Sequence, residues 1–165
     1  MLCFRFSFIF LVALTATMNS HFLRCSKVGV LSRVGSKGPR VGKYGVHVKE
    51  FEELALPCMR ITSSGPEAKA TRVVVVDEIG KMELFSKPFM AAYRQLLDQA
   101  ASAGNVVVVS TIAQRGQGFI QEIKERPDVT LLTITKADRD AKCEQIIAAV
   151  NAQLRSQPTT STEAL

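Results

Sequence analysis

The run Val73-Val74-Val75-Val76 ends in two carboxylates, Asp77 and Glu78. Four apolar β-branched residues in succession suit a strand buried on both faces, as in a parallel sheet. The end of such a strand is where open α/β sheets place their ligands. At that position Asp77 suits holding a hydrated Mg²⁺, and Glu78 suits orienting or deprotonating a water that attacks a phosphate. This is a Walker B pattern, half of a site for nucleotide hydrolysis. The other half, a phosphate-cradling Gly-x-x-x-x-Gly-Lys-[Ser/Thr] loop, occurs nowhere in the 165 residues. The plain alternative is that two acids end a buried strand and solvate the following turn.

Further candidates follow the later apolar runs. Thr111 comes after Val106–Val109, where a hydroxyl can meet a terminal phosphate or satisfy a local backbone donor. Arg115 lies in the basic Arg115-Gly-Gln-Gly118 loop, facing phosphate or solvent. Lys136 and Arg139 follow the run from Val129 to Ile134 and could pack on a base or sugar. Asp138 as a helix N-cap explains the same segment without a ligand. Lys81 and Glu83 form or flank a turn and receive no role. The four cysteines (Cys3, Cys25, Cys58 and Cys143) show no Cys-x-x-Cys spacing, and His21 and His47 form no ligand pair with them. That pattern argues against a zinc or redox motif.

The elements that must position these residues alternate along the chain. Residues 25–43 read as a Gly- and Lys-rich loop, and Tyr44–Val48 as a short strand. Phe51–Met59 reads as a helix with Phe51, Leu54 and Ala55 on one face, and Ser63–Pro66 begins a loop. After the first valine run, Ser86 suits an N-cap with Pro88 in the first turn. Phe89, Tyr93, Leu96, Leu97 and Ala100 then recur at helical spacing, and Gly104 serves as the stop. A short helix through Phe119, Ile120 and Ile123 separates the second valine run from the third strand, and Asp138 opens a last helix. Strands and helices alternating in this way form the βαβ rhythm of a parallel sheet.

A length of 165 residues suits one domain, and apolar and charged fractions of 47% and 22% are those of an ordinary globular chain. The net charge of +6 is uneven: residues 1–49 carry eight Lys or Arg and no acid, while residues 50–165 carry thirteen against fifteen. With few aromatics and no nucleic-acid motif, the basic stretch reads as a solvated loop, and no specific nucleic-acid partner is expected. Arg5 and the apolar run Phe6–Leu14 resemble a secretory signal, too short for a comfortable membrane span; an artefact of the gene model explains them equally well. The expected organisation is an apolar leader over 1–24, a domain over 25–155 and a disordered tail over 156–165. The cytoplasm is the expected location, with the secretory pathway as the alternative if residues 1–16 are a signal peptide.

The sequence resembles the cancer-related nucleoside-triphosphatase family, with its relatives in thermophilic bacteria and archaea. The resemblance rests on Leu31-Ser-Arg-Val-Gly35, Val41-Gly-Lys-Tyr44, Phe51–Pro57 and above all Val76-Asp-Glu-Ile-Gly-Lys-Met-Glu-Leu-Phe85, and it continues through Ser110-Thr111-Ile112 to Arg139. It implies an α/β, three-layer P-loop NTPase-like fold (RecA/AAA-like) with a mostly parallel sheet, lacking here the N-terminal strand, the phosphate loop and the first helix. It also implies Mg²⁺-dependent hydrolysis of ATP, GTP and other nucleoside triphosphates to diphosphate and phosphate. Asp77 then matches the metal carboxylate and Glu78 the water-activating acid. Without the phosphate loop, activity is expected to be impaired and an apolar face or strand edge exposed. A non-catalytic remnant acting as an interaction module and a secreted basic protein are the alternatives.

Overall fold

The computed structural model describes residues 8–13, 29–61, 72–103 and 105–155. Most of the leader, Cys3, His21, Cys25, the Ser63–Pro66 turn, Gly104 and the 156–165 tail lie outside the described residues. In chain order the strands and helices are β1 (Phe8–Ala13), β2 (Ser32–Val34), β3 (Arg40–Val41), β4 (Tyr44–Val46), α1 (Val48–Cys58), β5 (Arg72–Ile79), α2 (Lys87–Ala103), β6 (Val106–Ala113), α3 (Phe119–Lys124), β7 (Thr130–Ile134) and α4 (Arg139–Arg155). A 3₁₀ turn, Glu83–Phe85, joins β5 to α2.

The main sheet has the order β5-β6-β1-β7. The two valine runs pair in parallel, with Val73 opposite Val107 and Val75 opposite Val109. β1 lies antiparallel to both β6 and β7, so β5, β6 and β7 all point the same way. Their C-terminal ends therefore share one edge. β1 comes from the apolar leader, a segment that sequence reasoning set apart from the domain. Phe8 pairs with both Ala113 and Ile134, and Val12 with both Val109 and Thr130. A six-residue run rich in aromatic and branched residues thus satisfies the facing backbone groups of two strands at once.

β6 is buried along Val106–Ser110, with helices on both faces. On one side Val106, Val108 and Ile112 pack with Ile79, Phe89, Tyr93, Leu96, Leu97, Phe119 and Ile123. On the other, Val107 and Val109 pack with Ile134 and Ile146, flanked by Leu132, Val150 and Leu154. The result is three layers, with α1, α2 and α3 on one side of the sheet and α4 on the other. The second cover stops short of β5, where Val73 and Val75 are 45% and 71% exposed. β5 is also the edge strand of its sheet.

Local capping agrees with the sequence at α2: the Ser86 hydroxyl accepts the Phe89 N–H at 3.0 Å, as an N-cap does. The region 25–43 is a correction, because β2 and β3 form with β4 a three-stranded antiparallel sheet where a loop was expected. Strands this short carry no periodic signal. Their pairing is set by the turns between them, including Gly38 at φ 122°. Among the described residues no helix is long and apolar enough to cross a membrane.

Candidate active site

The carboxylate pair is presented by an irregularity in the parallel ladder. Val76 pairs with Ser110 and Ile79 with Ile112, so Asp77 and Glu78 together oppose Thr111 alone. One extra residue on β5 makes this a bulge, a device that re-aims side chains. Strict alternation would send Glu78 inward behind Val74 and Val76. Instead Asp77 and Glu78 are both exposed, and the next residue, Ile79, returns fully to the core.

The bulge has two local supports. Glu78 adopts φ 64°, the left-handed region that costs a residue with a Cβ roughly 1–2 kcal/mol. The Thr111 hydroxyl compensates: it accepts the Glu78 N–H at 2.6 Å and donates to Asp77 Oδ1 at 2.7 Å. Thr111 therefore ties both acids to β6. Beneath it, the buried Tyr93 hydroxyl donates to Ser110 Oγ at 2.8 Å and anchors α2 to the same strand. Burial pushes the Tyr93 phenol well above its ordinary range.

Glu83 closes the turn after the pair and was given no role by sequence reasoning. It is only 7% exposed, and its Oε2 accepts the Gly80 N–H at 2.8 Å. Burial raises the carboxyl above its ordinary value, opposed by its own N–H and that of Gly80, while the Glu78 charge adds a smaller push upward. The signal available in sequence was the spacing of Gly80 and Glu83, three residues apart in a turn, but nothing in that spacing reveals burial.

The remaining candidates stand on the same edge at increasing distance. Arg115 is exposed in the turn after β6. That turn is held by Lys124 Nζ, which donates to the Gln114 carbonyl at 2.7 Å. Lys136 and Arg139 follow β7, three strand spacings from β5 or about 14 Å. Arg139 Nε lies 3.1 Å from Asp140 Oδ1 in an exposed pair. Asp138 accepts the Thr135 N–H at 2.6 Å and the Thr135 hydroxyl at 2.8 Å, which hold its carboxyl below the ordinary range. Its carbonyl accepts the Lys142 N–H at 2.9 Å, so it begins α4 as expected of an N-cap position. The structure thus brings Asp77, Glu78 and Thr111 into direct contact. No side-chain bond among the described residues joins Arg115, Lys136 or Arg139 to them.

Among the described residues no three His, Cys, Asp or Glu side chains gather as a metal cage. A Mg²⁺ requires none, because it retains waters and binds through one or two carboxylates together with substrate phosphates. Asp77, exposed and with its other carboxylate oxygen outside the Thr111 bond, fits that mode.

Comparison with known proteins agrees with this architecture. A family model described as NTPase matches residues 21–147. The cancer-related nucleoside-triphosphatase homolog of Mus musculus is 42% identical over 131 residues, covering 74% of this chain and 66% of that protein. The cancer-related nucleoside-triphosphatase of Homo sapiens is 40% identical over 132 residues, with the same shares of each chain. The chain therefore spans 66% of the length of these relatives. The crystal structure of THEP1 from the hyperthermophile Aquifex aeolicus matches with a TM-score of 0.61 at 35% identity, covering 73% of this chain and 69% of that one. By its family match, its relatives and its layered sheet, this chain belongs to the NTPase family and has a P-loop NTPase-like α/β fold.

Proposed function

We propose that the chain derives from a Mg²⁺-dependent nucleoside-triphosphate phosphatase, acting on ATP, GTP and other nucleoside triphosphates to give diphosphate and phosphate. The observation that carries this reading is the bulge that turns Asp77 and Glu78 out together at the C-terminal edge of the sheet, tied through Thr111. In this reading Asp77 is the metal carboxylate. When bound, Mg²⁺ neutralises charge on the phosphate oxygens. Glu78 orients the attacking water and takes its proton, and its position is fixed through its own backbone N–H. Arg115, Lys136 and Arg139 supply cationic contacts to the nucleotide from β6 and β7. Turnover is weak, because the 165 residues hold no phosphate-cradling loop to grip the triphosphate. The protein acts in the cytoplasm, with secretion as the alternative if residues 1–16 are cleaved as a signal.

A second reading, a non-catalytic remnant that acts as an interaction module, is favoured by one observation: Val73 and Val75 stand exposed on the edge strand β5. Phosphate release from ATP and GTP by the purified chain, with and without Mg²⁺, separates the two. Weak Mg²⁺-dependent release, removed by Asp77→Asn and by Glu78→Gln, is expected. Release unaffected by either substitution refutes the assignment of the site, and vigorous turnover removed by Asp77→Asn refutes the impairment.

A further inference from the structure

A second feature adjoins the carboxylate pair. Arg40 and Val41 of β3 and Gly42 of the β3–β4 turn face Lys81, Leu84 and Phe85 from the turn after β5, across a cleft of about 450 Å³. It is shallow and open to solvent. The two walls come from segments about forty residues apart, and each is braced by its own turn.

On the hairpin wall, Val46 N–H donates to the Pro39 carbonyl at 2.8 Å, and Ser36 Oγ donates to the Gly45 carbonyl at 2.9 Å. A Cβ at Gly45 would run into the Ser36 carbonyl oxygen, so only glycine allows this close crossing. On the other wall, Glu83 holds the Gly80 N–H, and Leu84 N–H donates to the Gly80 carbonyl at 3.3 Å. These bonds fix the backbone from which Lys81 and Phe85 project. Glu83 thus gains a purpose as the brace of the cleft's second wall.

The chemistry of the lining is specific. Two cations, Arg40 and Lys81, meet an apolar surface of Phe85, Leu84 and Val41, with no acid among the described lining residues. Arg40 and Lys81 are exposed, and neither forms an ion pair among the described residues. Phe85 leaves 40% of its surface in solvent beside the two cations. A ligand that satisfies both halves needs clustered negative charge and a flat, stackable ring. Nucleotides have both. Lys81 lies three residues beyond Glu78 in the chain.

We infer that this cleft is a nucleotide subsite, in which Phe85 stacks on the base while Arg40 and Lys81 hold the phosphates next to the base and sugar. The inference rests on the nucleotide-hydrolysing reading of Asp77 and Glu78. It gives the chain a grip on nucleotide that depends on no phosphate loop. The cleft adjoins β5, whereas Arg115, Lys136 and Arg139 follow β6 and β7.

Calorimetric titration of the full chain with ADP and with inorganic pyrophosphate, both in EDTA, tests it. Arg40→Ala and Lys81→Ala should each weaken both probes about tenfold, the scale of one charge-assisted contact. Phe85→Ala should weaken ADP by about tenfold and leave pyrophosphate unchanged, because only ADP has a base to stack. Phe85→Leu, with thermal melting as a folding control, guards against a loss caused by disrupted packing; it should also weaken ADP alone. The inference is overturned if all variants bind ADP as the native chain does, or if the native chain binds neither probe. Phosphate release with Mg²⁺ by the native chain and by Asp77→Asn, measured alongside, keeps the two readings separate. Pocket-dependent binding without Asp77-dependent hydrolysis therefore sinks the catalytic reading alone, and the reverse result sinks the subsite alone.

Discussion

Replacing Thr111 with valine removes one hydroxyl and almost no volume, and so isolates what holds the bulge together. Two bonds disappear: the one accepting from Glu78 N–H at 2.6 Å and the one donating to Asp77 Oδ1 at 2.7 Å. A neutral backbone bond contributes about 1 kcal/mol and a bond to a charged group about 1.5–3 kcal/mol. Asp77 and Glu78 are exposed, so water recovers part of each loss, and the low end applies. The expected destabilisation is about 2 kcal/mol, which for a chain of this size lowers Tm by about 4–8 °C. Urea unfolding should show a lower midpoint with an unchanged slope, since the surface exposed on unfolding is the same. Glu78 would also lose the bond that offsets its left-handed backbone, and a misplacement of about 1 Å can reduce turnover on the order of a hundredfold. Thr111→Ser keeps the hydroxyl and should restore most of both properties. A Thr111→Val protein within about 0.5 kcal/mol of the native chain, with unaltered phosphate release, would refute the claim that this hydroxyl organises the pair.

Two other outcomes follow from buried polar groups. The Glu83 carboxyl titrates above its ordinary value of 4.5, so its contribution to stability is fully present below that value and is lost as pH rises through the folded-state value. Glu83→Gln abolishes that titration, and the stability of the variant relative to the native chain should shift in the variant's favour as pH rises above 4.5; a difference independent of pH in paired urea melts contradicts the assignment. Tyr93→Phe leaves the buried Ser110 Oγ without its 2.8 Å donor and should cost about 1–2 kcal/mol in urea unfolding. A neutral effect would mean that the α2–β6 contact is held by packing alone.

Much of the frame was legible because its cause is local. The valine runs at 73–76 and 106–109 were legible as strands, and they pair as parallel neighbours. Val106–Val109 is buried on both faces as expected, whereas Val73 and Val75 stay exposed because β5 lies at the edge of its sheet. Ser86, Asp138 and the spacing of Phe89, Tyr93, Leu96 and Leu97 marked helix starts and faces that the structure retains. Asp77, Glu78 and Thr111 were legible as residues near the C-terminal ends of their strands, although β5 and β6 continue past them to Ile79 and Ala113.

Other features depend on distant parts of the chain meeting. The one-residue bulge exists only because Ser110 and Ile112 on β6 set the register that Val76 and Ile79 must match. No composition rule places Glu78 at φ 64° or sends it outward beside Asp77. The apolar leader gave no sign that Phe8–Ala13 would lie antiparallel between β6 and β7, because open ladder groups on those strands select any nearby extended segment by backbone bonding. The burial of Glu83 and the meeting of Arg40 with Lys81 and Phe85 likewise arise from close packing across sequence separation. The sequence by itself determined which residues could do chemistry and which edge they reach, through local burial and capping. Only the tertiary structure decided how they face one another, because register and packing are properties of pairs of segments and belong to neither alone.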